Sequence, residues 1–313
     1  MSIDKQSKIS IVMVDGSFRE SFHALDYFGK QTLLPVQYEL IWVEYYDRVN
    51  PVLAEAIARY PNFRVITLNR TGLYHSSYCF NAGIQASRGA VLVIPDADVV
   101  VEEDFLETVW QEHQKNEELV MYSYRYDQAK ATYRPDWDIA YLRQVCTSPN
   151  PYNWGPCLSV RAKWLRQING YEQHSSFASG FHLNAQDVYT RLKNTGLYVK
   201  WHPKIRLYHP WHPQTGSGAY AYDVQRLVID YRARHLETLA YEGIDASRNL
   251  SPSAELLERV QTIVRQTNKR NGGLVDKLSF YLGALNHYIR SYITYHRNRP
   301  HLPKGFGSIR EPH

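Results

Sequence analysis

The sequence predicts an α/β domain with a mainly parallel central sheet flanked by helices, followed by a helical C-terminal extension. Three observations carry this expectation. Strand-like and helix-like segments alternate at short intervals from Lys8 to Tyr208, the sign of βαβ units. The run Ala90 to Ile94 is apolar without alternation, which suits a parallel strand covered on both faces. Beyond Pro213 the strands stop and long helical patterns take over.

The elements follow in order. Lys8 to Val14 is a strand by composition, and Arg19 to Gln31 reads as a helix. Tyr38 to Glu44 gives a second strand, Pro51 to Tyr60 a helix opening on proline, and Phe63 to Leu68 a third strand. Ser76 to Ser87 is a helix that leads, through Gly89, into the Ala90 to Ile94 strand. Glu102, Glu103 and Asp104 supply acids to a helix N-terminus, and Leu119 to Tyr124 is a strand. Residues 127 to 153 lack a clear period and are rich in Tyr, Trp, Pro and Asp, as in a ligand-facing loop. Gly155 to Val160 is a short strand, Arg161 to Ile168 a helix ended by Asn169-Gly170, and Ala185 to Asn194 another helix. Leu197 to Trp201 and Lys204 to Tyr208 finish the sheet.

Gln214 to Gly218 is glycine-rich and marks the expected boundary between residues 1–213 and 214–313. Helices are expected at 219–242, 252–269 and 275–298. The last carries an apolar stripe of Leu278, Leu282, Leu285, Ile289, Tyr292 and Tyr295 beside Arg290 and Arg297. Such a face packs on its own domain, or docks on a membrane surface or a second copy of the chain.

Composition narrows the function classes. A net charge of +5 suits an acidic small ligand, and no dense basic stripe in the first 200 residues points to nucleic acid. Cys79, Cys146 and Cys157 are odd in number and widely spaced, so neither a disulfide framework nor a Cys-x-x-Cys metal site is expected. No run reaches the roughly 18 apolar residues of a membrane span, and Met1 to Ser7 is polar. The expected location is therefore cytoplasmic, with peripheral contact at the inner membrane face as a further option.

The chemistry is concentrated after Ile94. Pro95 stops the strand, so Asp96 and Asp98 leave the carboxyl edge of the sheet, where open α/β sheets bind ligands. Two carboxylates there suit a hard divalent cation that also holds a diphosphate. A helix N-cap is the plainer use of an Asp-x-Asp pair. The spacing from Asn81-Ala82-Gly83-Ile84 favours the ligand role.

That combined pattern resembles the nucleotide-diphospho-sugar glycosyltransferases of the Rossmann-like GT-A fold, in particular family 2, over roughly residues 8 to 213. The resemblance divides this stretch into a nucleotide-sugar half (1–100) and an acceptor half (101–213). It implies a UDP-sugar donor, with Asp15, Glu44, Asn81, Asp96, Ala97 and Asp98 on the nucleotide sugar and Glu44 accepting a hydrogen bond from the base. Asp98 would ligate a Mn2+ or Mg2+ ion and Asp96 lie nearer the ribose. His209, after the last strand, would complete the metal site, with His212 as its alternative. Trp154 and Gly155 would line the acceptor side. Gln186-Asp187 and Arg191-Leu192 resemble the family's acidic helix start, which makes Asp187 the candidate general base for transfer with inversion. Asp136 and Asp138 stand in reserve, and His174 to Asn184 is a candidate lid.

The implied acceptor is a carbohydrate or a lipid-linked hydroxyl. Departures from the family pattern, Glu44 within Ile-Trp-Val-Glu-Tyr-Tyr-Asp and Gln186 for Glu, leave a retaining enzyme as the alternative. A catalytically silent nucleotide-sugar-binding module is the alternative from another class. A dinucleotide oxidoreductase is disfavoured, because Val14 to Arg19 lacks the Gly-x-Gly-x-x-Gly turn. Processive synthases carry membrane spans and a Gln-x-x-Arg-Trp motif that Gln225 to Val228 does not match.

Overall fold

The computed structural model describes residues 7–147, 149–150, 154–177, 183–212 and 222–270. Their elements run β1 (Ile9–Asp15), α1 (Ala24–Gly29), β2 (Tyr38–Glu44), α2 (Pro51–Ala58), β3 (Phe63–Thr67), α3 (Ser76–Ala86) and β4 (Val91–Pro95). Then come α4 (Phe105–Lys115), β5 (Leu119–Asp127), α5 (Ile139–Val145), β6 (Pro149–Asn150), β7 (Cys157–Arg161) and α6 (Ala162–Gln167). The chain continues through α7 (Asn184–Asn194), β8 (Tyr198–His209), α8 (Tyr222–His235) and α9 (Ala254–Arg270). The glycine-rich stretch 214–218, the stripe helix 275–298 and residues 178–182 of the candidate lid lie outside the described residues.

One eight-stranded sheet has the order β3-β2-β1-β4-β7-β5-β6, with β8 beside β5. β3, β2, β1 and β4 are parallel, and so are β5 and β8. The antiparallel β7 joins these two parallel groups. The parallel strands alternate their apolar side chains between two covered faces. Ile9, Ile11 and Met13 of β1 join the layer with Phe28, Leu53 and Leu106, whereas Val12 joins Ile84, Leu165 and Val188 on the opposite face. Gly83 lets α3 lie directly on β1, since a Cβ there would meet Val12 Cγ1 at 2.3 Å. The three cysteines are buried and free. Among the described residues no helix is long and apolar enough to cross a membrane.

Four elements differ from the sequence expectation. The helix expected from Arg19 begins only at Ala24. Its first turns are held open because Arg19 N donates to Asp15 Oδ2 and the Arg19 side chain turns toward Asp98. The region 127–153 contains α5, whose cap is Asp138 Oδ1 accepting from Ala140 N at 3.0 Å. The two strands expected at 197–208 are one, β8, with a bulge opposite Ser123 and Tyr124. Pro203 cannot donate to the ladder there, and His202 Nδ1 accepts from Lys204 N and Ile205 N instead.

The fourth difference is α8, which ends at His235 rather than at 242, before Leu236 at φ 53°. The chain then runs as a strap over the turn after α6. Ala240 N donates to Ile168 O, Ile244 N to Asn169 O, and Gln173 N to Glu242 O. Residues 222–250 are thus packed into the sheet domain rather than set apart from it.

His113 on α4 gives the fold a pH dependence. It is fully buried with Nε2 2.9 Å from Ser159 Oγ, and burial, aided by Arg161, pushes its pKa down to about 3 from the ordinary 6.5. Between those values the unfolded chain takes a proton that the folded chain refuses. Stability is therefore full above the unfolded pKa and falls with pH, by about 2 kcal/mol at about pH 5 from this group alone. Urea unfolding near pH 7 and near pH 5 should show the loss, and His113→Gln should remove that share of it.

Candidate active site

The carboxyl ends of β1, β2, β4, β5 and β8 deliver Asp15, Glu44, Asp96, Asp98, Asp127 and His209 to one edge of the sheet. Two pieces of backbone set the centre. Val100 and Tyr208 exchange N–H···O bonds of 2.8 and 2.9 Å, which brings the segment after β4 against the end of β8 and Asp98 beside His209. The parallel pairing of β5 with β8 puts Asp127 in register with His209.

His209 is oriented by this pairing. Its Nδ1 lies 3.0 Å from Asp127 Oδ1, which directs Nε2 toward Asp98 Oδ1 at 3.6 Å and His212 Nε2 at 3.2 Å. Burial opposes a charge on this ring, but the adjoining Asp127 and Asp98 carboxylates outweigh it and lift the pKa to about 9. His212 Nε2 is 3.5 Å from Asp98 Oδ2. One donor atom each from Asp98, His209 and His212 lies within 4.8 Å of the others.

The donor set fits a divalent cation. Asp98 Oδ1 is buried without a hydrogen-bond partner, so a lone pair is aimed into the cluster. A carboxylate with two imidazoles suits an ion softer than magnesium, such as Mn2+. Asp127 behind His209 is the outer carboxylate that usually fixes the ring of a metal-binding histidine.

Two arginines complete the electrostatics. Arg19 Nη1 donates to Asp98 Oδ2 at 2.5 Å, and its Nε lies 3.8 Å from Asp15 Oδ1. Arg125 reaches Asp127 at 2.9 Å and Asp96 at 3.4 Å. Asp98 is desolvated, yet Arg19 and the two histidines hold its carboxyl well below the usual range. Asp96 moves the other way, raised by burial and by the neighbouring Asp98 charge. Burial raises the Asp15 carboxyl to about 6. His23 Nε2 is 3.1 Å from Asp98 O, and its ring stacks on Trp137 at 4.6 Å.

The structure therefore brings together Asp15, Asp96, Asp98, His209 and His212 among the expected residues. Trp154 packs on Tyr189 at 5.6 Å, and Pro156 O accepts from Asp96 N, so the Trp154-Gly155-Pro156 segment borders the aspartates. Ala97 turns its side chain into the core between the two aspartates.

Three expected site residues, two donor ligands and the candidate base, are engaged inside the protein instead. Glu44 is 1% exposed; Oε1 accepts from Trp42 Nε1 at 2.8 Å and Oε2 from Ser17 N and Oγ at 3.1 Å. It secures the Ser17 turn, where φ is 57°. Asn81 is buried and clamps the turn after α6, its Nδ2 donating to Tyr171 O and its Oδ1 accepting from Tyr171 N. Gly170, at φ 71°, would touch that Oδ1 with any Cβ.

Asp187 is the third. It is 0% exposed, one turn into α7, with Arg191 Nε donating to Oδ2 at 2.8 Å and Arg232 Nη1 of α8 donating to Oδ1. Arg232 also pairs with buried Glu172, whose oxygens take the N–H groups of Tyr241, Glu242 and His174. The two guanidiniums overcome burial and hold the Asp187 carboxyl below its ordinary value. A carboxylate so placed and so stabilised is a weak and inaccessible base.

Beside Ser17 a cavity of about 550 Å³ opens at the ends of β1 to β3, lined by Gly16, Tyr46, Asp47, Arg48, Asn69 and Arg70. Arg70 covers the Tyr78 ring at 3.4 Å. Arg19, Arg125 and Asp127 were not anticipated from the sequence. Arg19 alone left a trace there, as a charge four residues after Asp15.

Residues 45–169 match the family model of Glycosyl transferase family 2. No curated protein matches the chain. Among solved structures, S. aureus TarS 1-349 is similar with a TM-score of 0.47 and 12% identity, over 65% of this chain and 60% of that one. The mannosyltransferase PcManGT from Pyrobaculum calidifontis, in complex with GDP-Man and Mn2+, is similar with a TM-score of 0.49 and 14% identity. That match covers 93% of this chain and 83% of the other. The chain thus spans 60% of the length of the TarS structure and most of the mannosyltransferase.

Proposed function

We propose that this chain, a GT-A glycosyltransferase of the family 2 type, moves one sugar from a nucleotide diphosphate to an acceptor hydroxyl with a divalent cation held by Asp98, His209 and His212. The observation that carries the proposal is the convergence of these three donors at the carboxyl edge of the sheet, with His209 oriented by Asp127. The cation supplies charge neutralisation at the departing diphosphate. Mn2+ is the expected ion and Mg2+ its substitute.

The nucleoside lies against β1 and β2, with Asp15 and Asp96 toward the ribose. Because Glu44 is occupied by Trp42 and Ser17, the base is read by the rim of the neighbouring cavity, where Asp47 and Arg70 offer an acceptor and donors. A UDP-sugar is the donor class carried over from the resemblance. Trp154, packed on Tyr189, gives the acceptor side an aromatic wall.

Inversion uses a general base at the acceptor hydroxyl, and Asp187 is buried in its pairs with Arg191 and Arg232. The loop before α5 takes the hydroxyl proton instead. There Asp138 already caps the helix, and exposed Asp136 adjoins the Trp137 that stacks on His23. The burial of Asp187 is also the observation that favours the second reading, transfer with retention. Product NMR decides: an inverted anomeric signal supports direct displacement, and an unchanged one supports retention.

Nucleotide release from a panel of UDP-, GDP-, CDP- and ADP-sugars with Mn2+ tests the proposal. One donor class should be cleaved, EDTA should stop it and added Mn2+ should restore it. Full release in EDTA would overturn the metal role. No release from any donor would favour the silent binding module.

A further inference from the structure

Arg19 stands in an unusual position for a residue beside a cation site. Its guanidinium is paired with Asp98 Oδ2, the same carboxylate whose other oxygen faces His209, and its Nε points at buried Asp15. The side chain is 20% exposed, so it borders the cleft rather than the core. Its backbone N–H is tied to Asp15 Oδ2, and the helix expected here is unwound up to Ala24, which gives the side chain an anchored base. A guanidinium and a divalent cation sharing one carboxylate repel each other, and each weakens the hold of the other on it.

We propose that Arg19 couples cation binding to donor binding: it competes with the cation for Asp98 and becomes a ligand of the donor's diphosphate when both are present. The inference rests on the Asp98, His209 and His212 reading and adds to it the residue that makes the site respond to a diphosphate. A phosphate offers the guanidinium a bidentate, charge-assisted partner at least as good as the shared carboxylate. Transfer of Arg19 from Asp98 to phosphate leaves Asp98 free to hold the cation more strongly. By linkage the cation must then strengthen diphosphate binding by the same factor.

The test measures Mn2+ affinity of the full chain by calorimetry, alone and with saturating UDP or GDP, for the wild type, Arg19→Gln and Arg19→Lys. Arg19→Gln should bind Mn2+ alone on the order of tenfold more tightly than the wild type. The same variant should show a smaller gain in Mn2+ affinity from the nucleotide than the wild type, what remains coming from the cation's own contact with the diphosphate. Arg19→Lys keeps the charge but not the bidentate fork, so it should match the wild type with Mn2+ alone and show a smaller gain from the nucleotide. An unchanged gain overturns the inference even where the glutamine variant folds poorly. A merely structural arginine would give weaker Mn2+ binding, or no change, in Arg19→Gln, and either result overturns the inference while leaving the metal site standing. Absence of Mn2+ binding in all three proteins overturns the metal site and this inference with it.

Discussion

Asp98→Ala is expected to lower Mn2+ affinity and sugar-transfer turnover by ~10²-fold or more. The cause is geometric. Asp98 is the anionic member of the Asp98, His209 and His212 cluster, and both histidines lie within 3.6 Å of its oxygens. Two imidazoles without the carboxylate hold a divalent ion poorly. The variant should stay folded, because the backbone bridge from Val100 to Tyr208 persists. Asp127→Asn supplies a graded companion. It leaves all three donors in place but removes the carboxylate that fixes the His209 ring, so a loss of about 10–100-fold in Mn2+ affinity is expected. Calorimetry with Mn2+, paired with circular dichroism, checks both. Unchanged affinity in Asp98→Ala would place the cation elsewhere.

The second large effect is one of stability. Arg232→Ala removes the guanidinium shared by Asp187 and Glu172, all three being at most 1% exposed. Arg191 compensates only Asp187, so Glu172 is left charged and buried. Breaking a buried pair in this way costs about 3–5 kcal/mol. Urea unfolding should show the midpoint falling with the slope kept. Asp187→Asn separates the two roles that residue has been given. A transition-state base would lose roughly 10²-fold in kcat with normal stability. A buried strut loses stability while the folded fraction keeps its kcat, and that is the expected outcome. Asp136→Asn should show the reverse pattern.

Much of the first half of the fold was legible because parallel strands bury both faces and read as unbroken apolar runs. Ala90 to Ile94 ended on a proline, and that alone sent Asp96 and Asp98 to the sheet edge. The closing of Glu44 was missed, although Trp42, two residues away on the same face of β2, carries an indole that needs an acceptor. Likewise Asp187 and Arg191 are a visible i,i+4 pair, although nothing local announces Arg232 from another helix. Asn81 resembled a ligand because a helical amide gives no sign of which distant turn it will clamp. Asp127 gave no signal at all, because its partner is set by the register of β8 against β5. Helix α5 was detectable from Asp138 as a cap and Ile139, Leu142 and Cys146 at helical spacing, but the Tyr, Trp and Pro content before it suggested a loop.

The placement of Arg232 has a consequence for how the protein is made. Its partner Asp187 is synthesised 45 residues earlier, and Glu172 60 residues earlier. At translation rates of about 5–20 residues per second, Asp187 waits roughly 2–9 s and Glu172 roughly 3–12 s for Arg232 to be synthesised. Through that interval the turn after α6 also lacks Ala240 and Ile244, which later bond to Ile168 and Asn169. Every residue through His212 is therefore synthesised before the strap that covers the turn after α6. The flank around Asp187 and Glu172 is thus the last part of the sheet domain that the order of synthesis allows to close.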